Sequence, residues 1–142
     1  MSPDDTTEGG NVEVMRRFLN YMADAGLGAE TDKLLTYLHP DIEWYPGMIP
    51  LDKEVYRGHD EYREHAERVR AHGSEGNYLN IDEIRAVGDD MVLAFAWVHY
   101  TGKDAPSFDS EYAMLARFED GLIRELRSFL SRAEAEQAAA DA

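Results

Sequence analysis

Residues 108–130 read FDSEYAMLARFEDGLIRELRSFL, and this stretch decides the fold. Phe108 to Phe118 and Leu122 to Leu130 are rich in aromatic and aliphatic residues, as strands are. The residues between them, Glu119-Asp120-Gly121, suit a three-residue hairpin loop in which the glycine takes a positive φ as a bulge. The stretch therefore predicts two antiparallel strands joined by a tight turn.

The residues ahead of this hairpin continue the sheet. Met91 to Tyr100 is a long apolar run rich in Val, Phe, Trp and Tyr, which is typical of a central strand. Leu79 to Val87 precedes it across a Gly88-Asp89-Asp90 turn, and Asp41 to Tyr45 reads as a short strand ended by Pro46. Five strands are thus predicted, four of them consecutive in the chain.

Three helices are predicted in the first half of the chain. The first has apolar residues at helical spacing: Val12, Met15, Phe18, Leu19 and Met22. The second begins at Thr31 or Asp32 and stops near His39, because Pro40 cannot continue a helix. The third has Asp60 as its N-cap. Its inner stripe consists of Tyr62, His65, Ala66 and Val69.

Helices first and antiparallel strands afterwards define an α+β domain, a sheet with helices on one face. The predicted order is ααβαββββ, followed by a short, mostly solvated helix from Ala133. We assign residues 1–10 to a disordered N-terminus, residues 11–137 to one domain and residues 138–142 to a frayed C-terminus.

One face of the predicted sheet is suited to enclosing a pocket. If residue 118 pairs with residue 122, even-numbered side chains of the last two strands share one face, and that face carries few charges. The central strand has small side chains at its even positions, Val92, Ala94, Ala96 and Val98, which leave room beneath covering helices. The alternative is that Ala94 and Ala96 only accommodate large helix side chains such as Phe18 and Tyr62.

The odd-numbered face is bulky and ion-paired, and we expect it to form a homodimer interface. Cross-strand ion pairs are predicted between Arg117 and Glu125 and between Glu111 and Arg127. The residues expected at the interface are Phe95, Trp97, Leu115, Arg117, Arg127 and Phe129.

Composition limits the partners that this chain can have. Its length of 142 residues is typical of a single domain. The 29 acidic residues outnumber the 14 basic ones and give a formal charge of -15. Such a field repels phosphate backbones and anionic lipids, so neither nucleic acid nor a membrane is expected as a partner. The chain has no cysteine, which excludes thiol catalysis and disulfides and fits a reducing, cytoplasmic location.

Several short motifs occur together in a recognisable order. They are Leu38-His39-Pro40-Asp41-Ile42-Glu43-Trp44, Tyr56-Arg57-Gly58, Val87-Gly88-Asp89, Arg117-Phe118-Glu119-Asp120-Gly121-Leu122-Ile123 and Ser131-Arg132-Ala133. In this order, over residues 11–137, the chain resembles the SnoaL-like (polyketide cyclase-like) branch of the nuclear-transport-factor-2-like superfamily. The resemblance implies a cone-shaped α+β barrel, with a curved mixed or antiparallel sheet wrapped around three N-terminal-half helices, an interior pocket and usually a homodimer. It leaves the function open, because this fold hosts isomerases, cyclases, epoxide hydrolases, dehydratases and non-catalytic binders.

The acidic residues of the family's enzymes are largely replaced in this chain. The resemblance to polyketide cyclases implies Ser128 at the position of their acid/base Asp and Met114 at that of a pocket His. The resemblance to ketosteroid isomerases implies Tyr45 at the general base, Met114 at the oxyanion-hole Asp and Phe18 at the oxyanion-hole Tyr. A pocket Tyr is retained at Tyr37, whereas the Arg-x-Asp of limonene-type epoxide hydrolases has no counterpart.

Glu43, His65 and Tyr45 are the candidate catalytic residues. Glu43 and Tyr45 share strand parity, so both face the pocket if either does, and His65 lies in the apolar stripe of the third helix. Burial raises the pKa of a carboxylic acid and histidine titrates near neutral pH, so this pair can act as base and acid. Tyr37, Tyr45 and Tyr112 can donate hydrogen bonds to a carbonyl or an oxyanion.

The predicted ligand-binding lining comprises Phe18, Met22, Tyr37, Ala94, Ala96, Tyr112, Met114, Leu126, Ser128 and Leu130. No cofactor is expected, and no metal site, since His65 and His72 lie two helical turns apart. The leading hypothesis is a pocket for a small, mostly apolar organic molecule, with cofactor-free isomerisation, cyclisation or dehydration if the protein is an enzyme. The alternative is a non-catalytic ligand-binding or protein-interaction module. In that case Glu43 is a carboxylate at the strand edge, bonded to a neighbour's backbone or to an arginine, and His65 is a core histidine with its hydrogen bonds satisfied.

Overall fold

The computed structural model describes residues 8–25, 31–46, 54–72, 78–100 and 108–141. In these ranges the elements are α1 (Glu8–Ala25), α2 (Thr31–Leu35), β1 (Leu38–Tyr45), β2 (Tyr56–Arg57), α3 (Gly58–His72), β3 (Tyr78–Val87), β4 (Met91–Tyr100), β5 (Phe108–Glu119), β6 (Leu122–Phe129) and α4 (Arg132–Asp141). Within them, no helix has the length and apolarity needed to cross a bilayer.

The strands form one curved, mixed sheet in the order β2-β1-β6-β5-β4-β3. The neighbours pair antiparallel except β1 and β6, which are parallel. The predicted α+β class is therefore confirmed. The sheet is not closed into a barrel, because β2 and β3 remain as its two edges.

The prediction that the second helix runs to His39 is wrong. The helix ends at Leu35, and β1 begins at Leu38. The cause is pairing with β6: the Ile123 N–H donates to the Tyr37 carbonyl at 3.0 Å, and Leu38 is the partner of Ile123. Pro40 is tolerated because it lies where the register shifts between Leu38 and Glu43.

The β5–β6 turn is also tighter than predicted. Glu119 pairs with Leu122, so the loop is the two residues Asp120-Gly121, with φ of 56° and 79° as a type I′ turn requires. A register shift between Arg117 and Phe118 then moves the pairing by one residue, so that Met114 lies opposite Ser128. Beyond the shift, even-numbered residues of β5 therefore pair with even-numbered residues of β6, as predicted. The even-numbered side chains do share one face.

The ion pairs on the odd-numbered face differ in part from the prediction. Arg117 lies directly opposite Glu125, with 3.8 Å between their charged groups. Arg127 lies opposite Leu115, which is four residues along β5 from Glu111, and the Nε of Arg127 donates to Glu125 at 3.0 Å. The predicted Glu111–Arg127 pair is therefore not formed.

The sheet is covered on both faces. Its inner face packs with α1, α2 and α3 into the larger core, which includes Met15, Phe18, Trp44, Val92, Ala94, Met114, Ala116 and Leu126. Its outer face carries a second core beneath α4, comprising Leu93, Phe95, Ala113, Leu115 and Ala135. The expected solvation of the C-terminal helix is thus incomplete, since Ala135 is fully buried, and α4 continues through residues 138–141.

Charged side chains attach α4 to the sheet. The Arg132 guanidinium lies 4.0 Å from the centre of the Phe95 ring, and the Arg85 guanidinium lies 5.2 Å from it. Glu83 lies 3.2 Å from both arginines, and Glu136 of α4 lies 3.3 Å from Arg85. Two cations therefore contact one buried aromatic ring, each with a carboxylate beside it.

Replacing Arg132 with Met keeps a long side chain at Phe95 but removes the charge. We expect the free energy of unfolding to fall by about 1 kcal/mol, as for a cation–π contact. Urea denaturation followed by circular dichroism measures this. Arg17→Met is the matched control, because Arg17 forms an exposed ion pair with Glu13 on α1. An equal loss of unfolding free energy in both variants would show that the charge of Arg132 does not help to hold α4 on the sheet.

Candidate functional site

His65 is the buried histidine of the inner face. It lies on α3 with 6% of its surface exposed, and the indole Nε1–H of Trp44 donates to its Nδ1 at 3.0 Å. An indole nitrogen can only donate, so Nδ1 must accept, and the proton of the neutral imidazole is carried by Nε2. Among the described residues this Nε2–H has no hydrogen-bond partner.

Aromatic rings surround this histidine. The ring centres of Tyr56 and Trp44 lie 4.5 Å and 6.0 Å from that of His65, and Tyr62 packs on Trp44 at 6.1 Å. Burial lowers the pKa of His65 and raises the pKa of the Tyr62 phenol. Both groups are therefore neutral at neutral pH, and the site presents an uncharged donor among aromatic side chains.

Glu43 and Tyr45 lie on the other face of β1. The Tyr45 hydroxyl donates to Glu43 at 3.0 Å, and Glu43 lies 3.7 Å from Arg124 and 4.0 Å from Arg57. Burial, followed by the hydrogen bond to Glu43, raises the pKa of Tyr45. Because strand side chains alternate, Trp44 points to His65 while its two neighbours point away, so Glu43 and His65 are not brought together.

Most of the predicted lining residues lie in the inner core. Those that are buried are Phe18, Ala94, Ala96, Met114, Leu126 and Ser128, and those that are partly buried are Met22, Tyr37 and Tyr112. The rings of Phe18 and Tyr37 meet edge to face at 6.0 Å. The Ser128 hydroxyl donates to the Pro46 carbonyl. Leu130 differs from the others, since it follows the end of β6 and is 50% exposed.

Sequence reasoning did not identify Trp44 and Tyr56 as neighbours of His65. The two residues face each other across the β1–β2 pair. β2 is only two residues long, too short for any periodic signal, and the Trp44–His65 contact spans 21 residues. The buried Ile42 and Trp44, alternating with the more exposed Glu43 and Tyr45, are the signal that could have identified the inner side of β1.

A histidine and two acids meet at the β5–β6 turn. His39, Glu119 and Asp120 have ligand atoms within 4.8 Å of one another. The Asp41 N–H donates to Nδ1 of His39 at 3.0 Å, so Nε2 carries the proton and contacts Glu119 at 3.1 Å. A metal needs an unprotonated ring nitrogen with a free lone pair, which this arrangement does not offer. The cluster is a hydrogen-bonded support for the turn.

An open depression of about 460 Å³ lies at the start of α3. It is lined by Pro40, Arg57, Gly58, His59, Asp60 and Glu61. The His59 Nε2 lies 2.9 Å from the Leu38 carbonyl. The depression is polar, and none of the predicted ligand-binding residues lines it.

Replacing Trp44 with Phe removes the donor to His65. We expect the free energy of unfolding to fall by about 1–3 kcal/mol, because a buried acceptor loses its partner. Urea denaturation of this variant and of Trp97→Phe measures the effect. Trp97 is 45% exposed, so its replacement should change stability by less than about 0.5 kcal/mol. Equal effects at both positions would show that the hydrogen bond adds nothing.

The pH dependence of stability should carry a contribution from His65. Below the ordinary pKa of 6.5 the unfolded chain protonates this histidine before the folded protein does. The contribution of His65 to the free energy of unfolding is therefore fully present above pH 6.5 and is lost as the pH falls below that value. His65→Gln removes the contribution.

Urea midpoints at about pH 7 and pH 5 test this pH dependence across the range in which histidine titrates. The stability of His65→Gln relative to the unmodified protein should rise toward the lower pH. His39→Gln is the control, because His39 contacts Glu119 instead of an indole. Parallel pH profiles for the protein and for His65→Gln would contradict the assignment.

Several solved structures share this fold. TerC co-crystallised with polyporic acid is 19% identical, with a TM-score of 0.71 over 92% of this chain and 98% of that one. A putative SnoaL-like polyketide cyclase from Jannaschia sp. CCS1 is 19% identical, with a TM-score of 0.70 over 98% and 94%. A protein from Catenulispora acidiphila with a ketosteroid isomerase-like fold, in complex with trimethylamine, is 20% identical, with a TM-score of 0.65 over 87% and 92%. At such identities the likeness shows the fold alone.

The family follows from the sequence match. Comparison with curated proteins finds no match. The family model of the SnoaL-like domain matches residues 15–126, which run from α1 into β6. The family includes polyketide cyclases and ketosteroid isomerases. With the mixed sheet and the helices on its inner face, this match shows that the chain belongs to the SnoaL-like domain family, of the nuclear-transport-factor-2-like fold.

Proposed function

We propose that this protein binds a small, mostly apolar organic molecule between its helices and the inner face of its sheet. The observation that carries the proposal is the buried Nε2–H of His65, which has no partner among the described residues. Nearly all buried polar groups in native proteins are paired, and leaving one unpaired costs about 1–3 kcal/mol. A buried, unpaired donor points to an acceptor that is supplied by a ligand.

The rest of the inner face favours an uncharged guest. The buried polar or charged side chains among the described residues are Thr31, His65 and Ser128, none of which is a carboxylate, lysine or arginine. An ionic ligand would be desolvated there without a countercharge, which costs far more than one unpaired donor. The small side chains of Ala94 and Ala96 limit the bulk that the protein itself contributes to this surface.

Two proteins of the same fold support by analogy that the guest is a small organic molecule, but not that it is uncharged, because an acid and a tertiary amine are both ionised at neutral pH. One is the TerC protein co-crystallised with polyporic acid, and the other is the Catenulispora acidiphila protein in complex with trimethylamine. Fold analogy raises the expectation of a small organic ligand without specifying which one.

Cofactor-free isomerisation, cyclisation or dehydration is the second candidate function, favoured by the presence of one titratable imidazole on the inner face. The geometry supports it less well than binding. Both nitrogens of His65 are committed, Nδ1 to the Trp44 indole and Nε2 to its own proton, so neither can take a proton from a substrate. Glu43 pairs with arginines on the outer face.

A homodimer through the outer face remains a proposal, restricted by α4. Phe95 and Leu115 are already buried beneath that helix, with 1% and 4% of their surfaces exposed. The exposed part of the face carries Trp97, Arg127 and the partly exposed Phe129. The proposed contact is therefore centred on Trp97.

A fragment screen observed through methyl resonances tests the binding site. Neutral organic fragments at about 1 mM, the weak-affinity range of such compounds, should perturb the methyls of Ala94 and Met114 on the inner face. The methyls of Leu93 and Leu115, beneath α4, are internal controls and should not move. Fragments that perturb the outer methyls alone, or a screen without any neutral binder, would refute the proposal.

The same fragments distinguish binding from catalysis. Each binder is incubated with the protein and followed by proton NMR for conversion, and we expect none. Conversion that is abolished by His65→Ala or by Glu43→Gln, while affinity stays within about tenfold, would establish the catalytic alternative and identify which face carries it.

A further inference from the structure

We infer that the inner site selects ligands with an uncharged acceptor oxygen, such as the carbonyl oxygen of a ketone. This oxygen accepts a hydrogen bond from the Nε2–H of His65, and Trp44 is the residue that positions this donor. The inference rests on the proposed function and adds to it the chemical class of the ligand and the role of the histidine.

The hydrogen bond from Trp44 fixes the tautomer of His65. A neutral imidazole has one donor and one acceptor nitrogen, and the indole of Trp44 has no lone pair to offer. The 3.0 Å contact between Nε1 of Trp44 and Nδ1 of His65 therefore requires the tautomer with its proton on Nε2. The other tautomer would place two N–H groups against each other.

The orientation of the His65 ring is fixed as well as its tautomer. The Tyr56 ring lies 4.5 Å from the imidazole, and Trp44 meets it at an interplanar angle of 66°. A flipped imidazole would place a carbon atom opposite the indole N–H and lose the hydrogen bond. Nε2–H thus has a single direction before any ligand arrives, and such preorganisation lowers the cost of binding.

The fixed N–H of His65 determines which ligand groups it can bind. A fixed N–H accepts nothing, so an ammonium group or any other group that is only a donor leaves the site unsatisfied. An anionic oxygen could accept the bond, but it would be buried beside aromatic rings, and the buried side chains of the described residues include no cation. A neutral carbonyl or ether oxygen satisfies the donor without that cost.

His65 binds its ligand without transferring a proton. It can polarise a carbonyl through a hydrogen bond, but it keeps its proton, because a neutral imidazole is a very weak acid. Protonation at Nδ1 would break the bond to Trp44. His65 is therefore a binding donor, and recognition does not require proton transfer.

Three probes of nearly equal shape test the selection: acetophenone, ethylbenzene and 1-phenylethylamine. Affinities come from methyl shifts of Ala94 and Met114, and the state of His65 comes from long-range ¹H–¹⁵N correlations of its imidazole. Acetophenone should bind roughly tenfold more tightly than ethylbenzene, the value of one satisfied buried donor, and the ammonium probe should bind most weakly. The Nε2 proton should shift on addition of acetophenone.

His65→Phe should abolish the preference for acetophenone while ethylbenzene still binds. His39→Phe is the matched control and should retain the preference, because His39 contacts Glu119 at the β5–β6 turn. Trp44→Phe should reduce the preference and give imidazole signals of both tautomers, a change that simple loss of packing would not produce. The tautomer of the unmodified protein, measured without any probe, keeps the test decisive if this variant does not fold.

The outcomes separate the inference from the function on which it rests. If no probe perturbs the inner methyls, the proposed function fails. Equal binding of acetophenone and ethylbenzene leaves that function standing and overturns the inference. A preference that persists in His65→Phe, a proton found on Nδ1, or a resident water that keeps the Nε2 bond in the presence of acetophenone likewise overturns it.

Discussion

The parallel pairing of β1 with β6 is the constraint on which the rest of the site depends. It joins the N-terminal half of the chain to the last strand of the meander, with Trp44 opposite Leu126. This register turns Trp44 toward α3 and turns Glu43 toward the arginines of the outer face. A shift of one residue would exchange the two, since strand side chains alternate between faces. The chemistry of the interior is therefore set by a backbone register.

Much of the fold could be predicted because its signals are local. The strands β3 to β6 are rich in aliphatic and aromatic residues, Gly88 and Gly121 lie in the turns after β3 and β5, and the stripe of α1 follows the helical period. β1 was shortened in the prediction because Pro40 is a strong local breaker, whereas pairing with Ile123 carries the strand past it. The hairpin loop was predicted one residue too long, and parity was still right because a bulge compensates. Local signals report what a segment favours, and the partner strand decides the exceptions.

The candidate site was harder to predict because it depends on contacts distant in sequence. His65 stood out as a polar residue in an apolar helical stripe, and it is indeed buried. Its partner could not be read from spacing, since Trp44 lies on a different element. Glu43 was expected in the interior if Tyr45 faced it, but the pairing of β1 with its neighbours places both residues on the outer face. The residue type was informative, and its orientation required the tertiary structure.

The second core beneath α4 has a consequence for where this chain can be shortened. The segment that matches the family ends at residue 126, inside β6, and therefore omits α4. A protein cut back to that segment would expose Leu93, Phe95 and Leu115 side by side, along with an incomplete strand edge. Contiguous apolar surface and unpaired strands promote self-association, so the fragment would be prone to aggregate. The ten-residue helix α4 thus shields the apolar side chains of the outer face from water.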